Sequence, residues 1–331
     1  RRARKLAAYN TKRAWIEAAW LHIHELSKSR NSTSFWRYIS QLGGPKKERR
    51  TNTVNANVWE SHIKKLYGAT SCKDVKEKAR AVFDPTVNQN ETTFNTNPVL
   101  FSIRNTTRII KRFRSDGAPG PNGFPGAIFK ANAPGWAPIL SAMYNACFTL
   151  SVVPQSWRGS VLCPIYKQGD PLDPANYRMI ALLDVDGKGY ALNLIEDLEK
   201  WAETSKILPL TQNGFRPKSS TIDNIIALAY LAYRARQPKS YPLFCCLVDY
   251  SAAFDRVDRN KLWTKLALWG LPNKLLWGII SLYSNTWVQI KLDLNYATKA
   301  YNTTIGLNQG CVIAPILFNL SPEKRSLGKE C

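Results

Sequence analysis

The run Tyr241-Pro242-Leu243-Phe244-Cys245-Cys246-Leu247-Val248 ends in a carboxylate, Asp249, and is followed by Tyr250-Ser251-Ala252-Ala253-Phe254-Asp255. An apolar run of this length, bounded by turn residues, predicts a strand buried on both faces. A carboxylate at the exposed end of a rigid strand suits Mg2+, which takes hard oxygen donors in fixed geometry. An acidic strand terminus with a purely structural role has the same pattern, and the segment alone leaves both readings open.

Three further segments bear chemistry. In Gly306-Leu307-Asn308-Gln309-Gly310-Cys311, two glycines flank a glutamine just before the apolar stretch Val312–Leu317. Backbone N–H groups and one amide at a helix start suit a phosphate or a base pair close to the backbone; taken alone, the segment is more commonly an ordinary turn with a helix cap. Pro164-Ile165-Tyr166-Lys167-Gln168-Gly169-Asp170 and then Asn176-Tyr177-Arg178 read as a strand, a turn and a return strand. Lys167 and Arg178 could clamp a triphosphate, Arg through its planar fork and Lys as a point charge, or could be solvated cations on a plain hairpin. Gln212-Asn213-Gly214-Phe215-Arg216-Pro217 puts an aromatic ring and a guanidinium on a tight loop, suited to stacking on a nucleic-acid strand or to simple packing.

The elements that must position these groups follow from periodicity. Ile16, Trp20 and Ile23 predict one amphipathic helix, Phe35, Trp36 and Ile39 a second, and Trp59, Ile63 and Leu66 a third. Residues 69–98 are polar and rich in Asn and Thr, which predicts a linker. A helix near 102–113 leads into Ser115-Asp116-Gly117-Ala118-Pro119-Gly120-Pro121-Asn122-Gly123-Phe124, whose glycines and prolines force a shaped turn. Ile222, Ile226, Ala229 and Tyr233 mark a helix, as do Leu262, Leu266 and Trp269, and Leu276, Ile280 and Tyr283. Val288, Ile290 and Leu292 alternate as a strand, with Tyr301, Thr303 and Ile305 as its hairpin partner.

Composition narrows the partners. The 331 residues carry 46 Lys and Arg against 24 Asp and Glu, a formal net charge of +22. Residues 1–50 alone hold thirteen Lys and Arg against three Glu. Such a surplus calls for a polyanion. Nucleic acid fits better than a membrane, because the longest apolar run, Ile225 to Tyr233, is about half of the roughly 20 residues a spanning helix needs. Seven cysteines form an odd set without a CxxC pair, which argues against zinc and disulfide frameworks and for a reducing intracellular compartment, cytoplasm or nucleus. Residue 1 is Arg and only Met143 and Met179 occur, so the sequence reads as a piece of a longer one.

In order, these segments resemble the reverse transcriptase domain of non-LTR (LINE-type) retrotransposons. The matching phrases are Ala118 to Gly123, Trp157 through Lys167, Asn176-Tyr177-Arg178 to Leu183, Gln212 to Arg216, Asp249 to Asp255, and Gln309-Gly310-Cys311 to Asn319. Residues 30–68 resemble the helical segment that such proteins carry ahead of the polymerase. Asn122 and Met179 depart from the family's usual Asp and Pro. The resemblance implies an α+β fold: right-hand polymerase fingers plus a partial palm, behind a helical N-terminal segment. It divides the chain into a basic helical segment (1–68), a linker (69–98), fingers and early palm (99–240), partial palm (241–319) and a deviating tail (320–331).

It also implies roles. Asp249 would be the catalytic carboxylate and, with the carbonyl of Tyr250, a ligand of Mg2+. Lys167, Arg178, Phe254, Gln309 and Gly310 would bind the nucleotide, with Phe254 excluding a 2′-hydroxyl by clash. Phe215 and Arg216 would touch nucleic acid. The partners implied are an RNA template, a DNA primer and a dNTP.

The family completes its metal site with an Ala-Asp-Asp turn, and no Asp-Asp dipeptide occurs in this sequence. Asp255 and Asp258 are the only nearby carboxylates after Asp249. Truncation before that turn is therefore expected. Three functions stay in play: a polymerase fragment inactive alone, a non-catalytic RNA- or DNA-binding protein on the same scaffold, and a palm completed by another chain's carboxylates.

Overall fold

A computed structural model of the chain describes residues 54–67, 101–237, 241–250, 252–292 and 297–321, together with Ala14, Ala18, Leu21, His22 and Glu25. Ala14, Ala18, Leu21, His22 and Glu25 are helical and exposed. Ile16, Trp20 and Ile23, whose spacing predicts that helix, lie outside the described residues, as do the helix expected through Phe35–Ile39, the 69–98 linker and the tail beyond Ser321. The chain divides into two compact units, one from 50–209 and 250–331, the other from 1–49 and 210–249.

The larger unit combines helices with a small mixed sheet. Its strands are β1 (Gly159–Tyr166), β2 (Tyr177–Leu182), β3 (Thr286–Ile290) and β4 (Tyr301–Thr303), in the order β2-β1-β3-β4. The expected hairpins are both present: β1 pairs antiparallel with β2, and β3 with β4. Local sequence does not announce the third pairing, in which β1 runs parallel to β3, with Gly159 opposite Trp287 and Leu162 opposite Ile290. Parallel pairing needs a long connection, here residues 167–285, which include β2 and several helices.

One face of this sheet packs on α1 (Ala56–Tyr67). Trp59, Ile63 and Tyr67 recur at helical spacing and are buried against Leu162, Tyr177, Met179, Ala181, Val288 and Ile290. Trp59 meets Tyr177 edge-on, with ring centroids 5.3 Å apart at 76°. Sequence spacing suggested Leu66 for the last of the three; Tyr67 takes the buried position and Leu66 packs at its margin.

The other core is helical. It is built from α2 (Ile103–Arg112), α3 (Gly126–Ala131), α4 (Ala133–Leu150), α5 (Val185–Thr204), α7 (Arg259–Leu268), α8 (Asn273–Tyr283) and α9 (Ala314–Asn319), with α6 (Thr221–Arg234) belonging to the other unit. Ser102 caps α2, Asn132 caps α4 and Asp258 caps α7, each accepting a backbone N–H from the first turn. Leu262 and Leu266, and Leu276, Ile280 and Tyr283, are buried as their spacing predicts. Leu320 and Ser321, assigned to the tail on sequence, are also buried.

The shaped turn at 115–124 has a mechanical explanation. Its Asn122 N–H donates to Asp184 Oδ1 at 2.9 Å, and its amide donates to Asp186 Oδ1 at 3.2 Å. Trp157 Nε1 donates to the other oxygen of Asp186 at 2.9 Å. The chain approaches so closely that a Cβ on Gly120 would lie 2.3 Å from the Asp184 nitrogen, so no side chain fits there. An Asp at 122 would face Asp186 charge to charge; Asn turns that contact into a hydrogen bond.

The smaller unit contains α6 (Thr221–Arg234), opened by a capping box in which the Ser220 hydroxyl and the Asp223 carboxylate each accept a backbone N–H. Residues 241–250 overturn the buried-strand expectation. They adopt no regular secondary structure, and Tyr241, Phe244 and Leu247 are 91%, 89% and 86% exposed. A strand exists only through its neighbours' hydrogen bonds, and none of the four described strands pairs with this segment. Among the described residues no helix is long and apolar enough to cross a membrane.

Candidate functional site

The hairpin β1–β2 carries Lys167 just past one strand and Arg178 on the other. Lys167 N–H donates to Asn176 O at 2.8 Å, extending the ladder by one step. Arg178 opposes Ile165, and both are exposed, whereas flanking Tyr177 and Met179 are buried against α1. The connecting turn is internally tied: Tyr166 OH donates to Gly169 O at 2.6 Å, and Asp170 and Asp173 each accept a backbone N–H two residues on, at 2.9 Å.

Beside the free edge of β2 runs the loop from Gly306 to Gly310. Ala181 N–H donates to Gln309 O at 2.6 Å. Gly306 and Gly310 have φ of 84° and 115°, a region that L side chains avoid. A Cβ at Gly306 would sit 2.7 Å from Asp255 O, and one at Gly310 would sit 2.6 Å from Ala181 O. Both glycines are therefore required twice over, by backbone conformation and by space.

The same loop is stitched to residues 254–257. Gly306 N–H donates to Val257 O and Leu307 N–H to Phe254 O, each at 2.8 Å. The Phe254 ring stacks on Phe318 with centroids 4.7 Å apart at 24°. That contact fixes the position of the Phe254 ring.

At the crossing point lies Asp255, 6% exposed. Tyr67 OH donates to its Oδ1 at 2.6 Å, and Gln309 Nε2 donates to its Oδ2 at 2.8 Å. Burial pushes the Asp255 carboxyl above the usual carboxylate range; the bonds from Tyr67 and Gln309 and the charge of Lys167 pull the other way. The Tyr67 hydroxyl is raised well above its ordinary value by burial and by the neighbouring carboxylate. His62, one helical turn earlier, is lowered by burial, against the pull of Asp173 and Asp255.

Behind the loop is a buried guanidinium. Arg259, 5% exposed, donates Nε to Gly306 O at 2.6 Å and Nη1 to Thr286 Oγ1 at 2.7 Å, Thr303 O at 3.2 Å and Tyr283 O at 3.3 Å. Burial lowers its pKa to about 10, so it stays charged at neutral pH and neutralises carbonyl dipoles rather than a carboxylate. It ties α7, the end of α8, β3 and β4 to the start of the Gly306 loop.

Of the residues singled out on sequence, Phe254, Gln309, Gly310 and the strand bearing Arg178 are thus brought together, with Lys167 near enough for its charge to act on Asp255. Tyr250 begins the same unit and is 41% exposed. Asp249, Phe215 and Arg216 belong to the other unit. Phe215 is 59% exposed with φ of 55°, in a loop where Gln212 Nε2 donates to Gly214 O and the Asn213 amide donates to Asn224 Oδ1. Sequence reasoning missed Tyr67, Arg259 and the hydrogen-bonded part of Asp255. The available signal was a tyrosine at buried spacing at the end of α1; no local pattern marks Asp255, which sits between Phe254 and Arg256.

The donor set does not close a magnesium site. Among the described residues no three His, Cys, Asp or Glu side chains cluster to hold a metal. Asp255 has both oxygens engaged, and Asp258 caps α7 through Lys261 N at 3.1 Å. Asp249 and the Tyr250 carbonyl offer two donors where Mg2+ takes about six.

Residues 165–324 match the family model of reverse transcriptase (RNA-dependent DNA polymerase). Curated relatives in Drosophila melanogaster include a probable RNA-directed DNA polymerase from transposon BS, 26% identical over 66% of this chain and 24% of its own length. Another from transposon X-element is 27% identical over 64% of this chain and 23% of its length. The RNA-directed DNA polymerase from mobile element jockey is 26% identical over 55% of this chain and 20% of its length. The chain thus spans about a quarter or less of these relatives. The Gln309 loop, the Phe254 segment and β2 fall inside the matched residues, and most of β1 lies just ahead of them. Over residues 165–324 the chain is similar to the reverse transcriptase domains of such retrotransposon polymerases.

Proposed function

We propose that the chain forms the fingers and the opening part of the palm of an RNA-directed DNA polymerase, and that it binds primed template without extending it alone. The observation that carries this reading is the convergence of the β2 edge, Phe254 and Gln309–Gly310 through four backbone and side-chain hydrogen bonds of 2.6–2.8 Å. Such a rigid wall suits a nascent base pair lying close to backbone, with glycines where a Cβ would intrude. Lys167 and Arg178 would hold the triphosphate, Phe254 would exclude a 2′-hydroxyl, and Phe215 and Arg216, in the other unit, would contact nucleic acid. Asp249 and Tyr250 would join the metal site only with further oxygen donors. The family's reaction joins a primer 3′-hydroxyl to the α-phosphate of a dNTP, releasing pyrophosphate; what these residues supply to it is alignment.

The shortage of carboxylates favours a second reading, a non-catalytic binder of RNA or DNA that uses the +22 charge. Primer extension on an RNA template, alongside binding measured over a range of salt, separates the possibilities. The proposal expects tight, steeply salt-dependent binding with preference for primed over unprimed RNA, and no extension. Extension that disappears in Asp249→Ala would refute the incomplete-site reading, and equal affinity for any polyanion would favour the second.

A further inference from the structure

We infer that Asp255 and Tyr67 are positioning residues for the Gln309 amide, and that α1, which precedes the residues matched to the family, is part of the nucleic-acid site. The inference rests on the functional reading above and adds to it a chain of three side chains. Tyr67 donates to one carboxylate oxygen of Asp255 and Gln309 donates to the other, at 2.6 and 2.8 Å.

The chemistry of the middle member sets the orientation of the last. A carboxylate only accepts, so it selects the nitrogen end of the Gln309 amide and commits one of its N–H groups. The carbonyl Oε1 is then the end left to accept from a ligand. An unrestrained glutamine presents either end, and a ligand pays for choosing one; a preset amide removes that cost. Gln309 is half-buried and its own carbonyl is fixed by Ala181, so its backbone is held as well as its head group.

Tyr67 makes the device specific. With its phenol on Oδ1, the Asp255 carboxylate cannot rotate to offer both oxygens to Gln309. The phenol comes from the last turn of α1, whose Trp59 and Ile63 seat that helix on the sheet that carries Arg178. Residues 165–324 alone lack this donor.

Asp255→Asn tests the inference sharply. The new side chain keeps an acceptor for Tyr67 but turns an N–H2 toward Gln309, which must flip to answer it. Tyr67→Phe keeps the ring packing and removes only the donor. Both are measured beside Gln309→Ala in the full chain, by fluorescence anisotropy with a labelled primed RNA template, with thermal unfolding as a check that each variant folds. Expected are losses of about tenfold for Gln309→Ala and for Asp255→Asn, the size of one hydrogen bond to a charged group, and a smaller loss for Tyr67→Phe. The double variant Asp255→Asn/Gln309→Ala should bind no worse than Gln309→Ala, because Asp255 acts through Gln309.

Additive losses in the double variant would overturn the inference. So would full affinity in both Asp255→Asn and Tyr67→Phe while Gln309→Ala is weakened, an outcome that leaves the functional reading standing. If Asp255→Asn fails to fold, Tyr67→Phe/Gln309→Ala carries the same non-additivity test. Unchanged binding in Gln309→Ala, or no binding by the unaltered chain, would sink the functional reading and the inference together.

Discussion

The Tyr67 hydroxyl lies 2.6 Å from Oδ1 of Asp255, 188 positions further along the chain. This contact joins the helix ahead of the family-matched residues to Asp255, whose other oxygen accepts from the Gln309 side chain. Removing it by Tyr67→Phe should destabilise the fold by about 1–3 kcal/mol. The loss should also depend on pH. Burial raises the Asp255 carboxyl, so the folded chain binds that proton more tightly than the unfolded chain, and stability falls as pH rises from the unfolded value toward the folded one. Tyr67 partly offsets this by favouring the charged form, so its removal should cost more at pH 7.5 than at pH 4, because acid shifts the raised carboxyl toward its neutral form. Thermal melts at the two pH values check the sign; an equal loss at both would contradict it.

Asp184 offers an independent pH test. Burial raises its carboxyl to about 6, with the Asn122 N–H pulling the other way. A raised carboxyl penalises the folded state above the folded pKa and ceases to do so below the unfolded one, near 4. Asp184→Asn keeps an acceptor for Asn122 N–H and removes the buried charge. The variant should match or exceed the parent in melting temperature at pH 7.5, and the gap should close as pH falls from about 6 to 4. A gap that widens toward acid would show the sign to be wrong.

Gly306→Ala and Gly310→Ala should each lower stability by about 1–3 kcal/mol, since a positive φ and a Cβ within 2.7 Å of a backbone oxygen add up. Denaturant unfolding measures it. Gly123→Ala is the control: its φ is 76° but nothing lies within 4 Å, so only the conformational part of the cost applies.

Arg259→Lys keeps the charge and loses the fork. A single ammonium cannot reach Gly306 O, Tyr283 O, Thr286 Oγ1 and Thr303 O together, so buried carbonyls lose their donor. We expect a loss of about 2–4 kcal/mol and weaker amide protection at Gly306 and Leu307, read by hydrogen exchange. Unchanged protection there would mean that the loop holds without the guanidinium.

How much of this was legible in the sequence follows from the range of the forces involved. The β1–β2 and β3–β4 hairpins and helices α7 and α8 are written in local periodicity, as Leu262 and Leu266 or Val288 and Ile290 show. The Gly306 and Gly310 positions were legible because only glycine tolerates their φ. The parallel β1–β3 pairing, the Arg259 hub and the Tyr67–Asp255–Gln309 chain join distant positions through side chains, and no local pattern encodes such pairs. The 241–248 segment was misread for a related reason: apolar content marks a segment that can be buried, whereas a strand also needs a neighbour to bond. The family resemblance was legible through ordered phrases, and the matched residues 165–324 contain most of them.

The central claim, that the hairpin and the Gln309 loop form one nucleic-acid wall, is tested most directly by photo-crosslinking. A primed RNA template carrying 4-thiouridine at the first unpaired position is irradiated with the chain, and the crosslinked peptides are identified by mass spectrometry. The account predicts crosslinks to residues 165–180 and 306–311 that require the primer. Crosslinks confined to the basic first 50 residues, or indifferent to the primer, would contradict it.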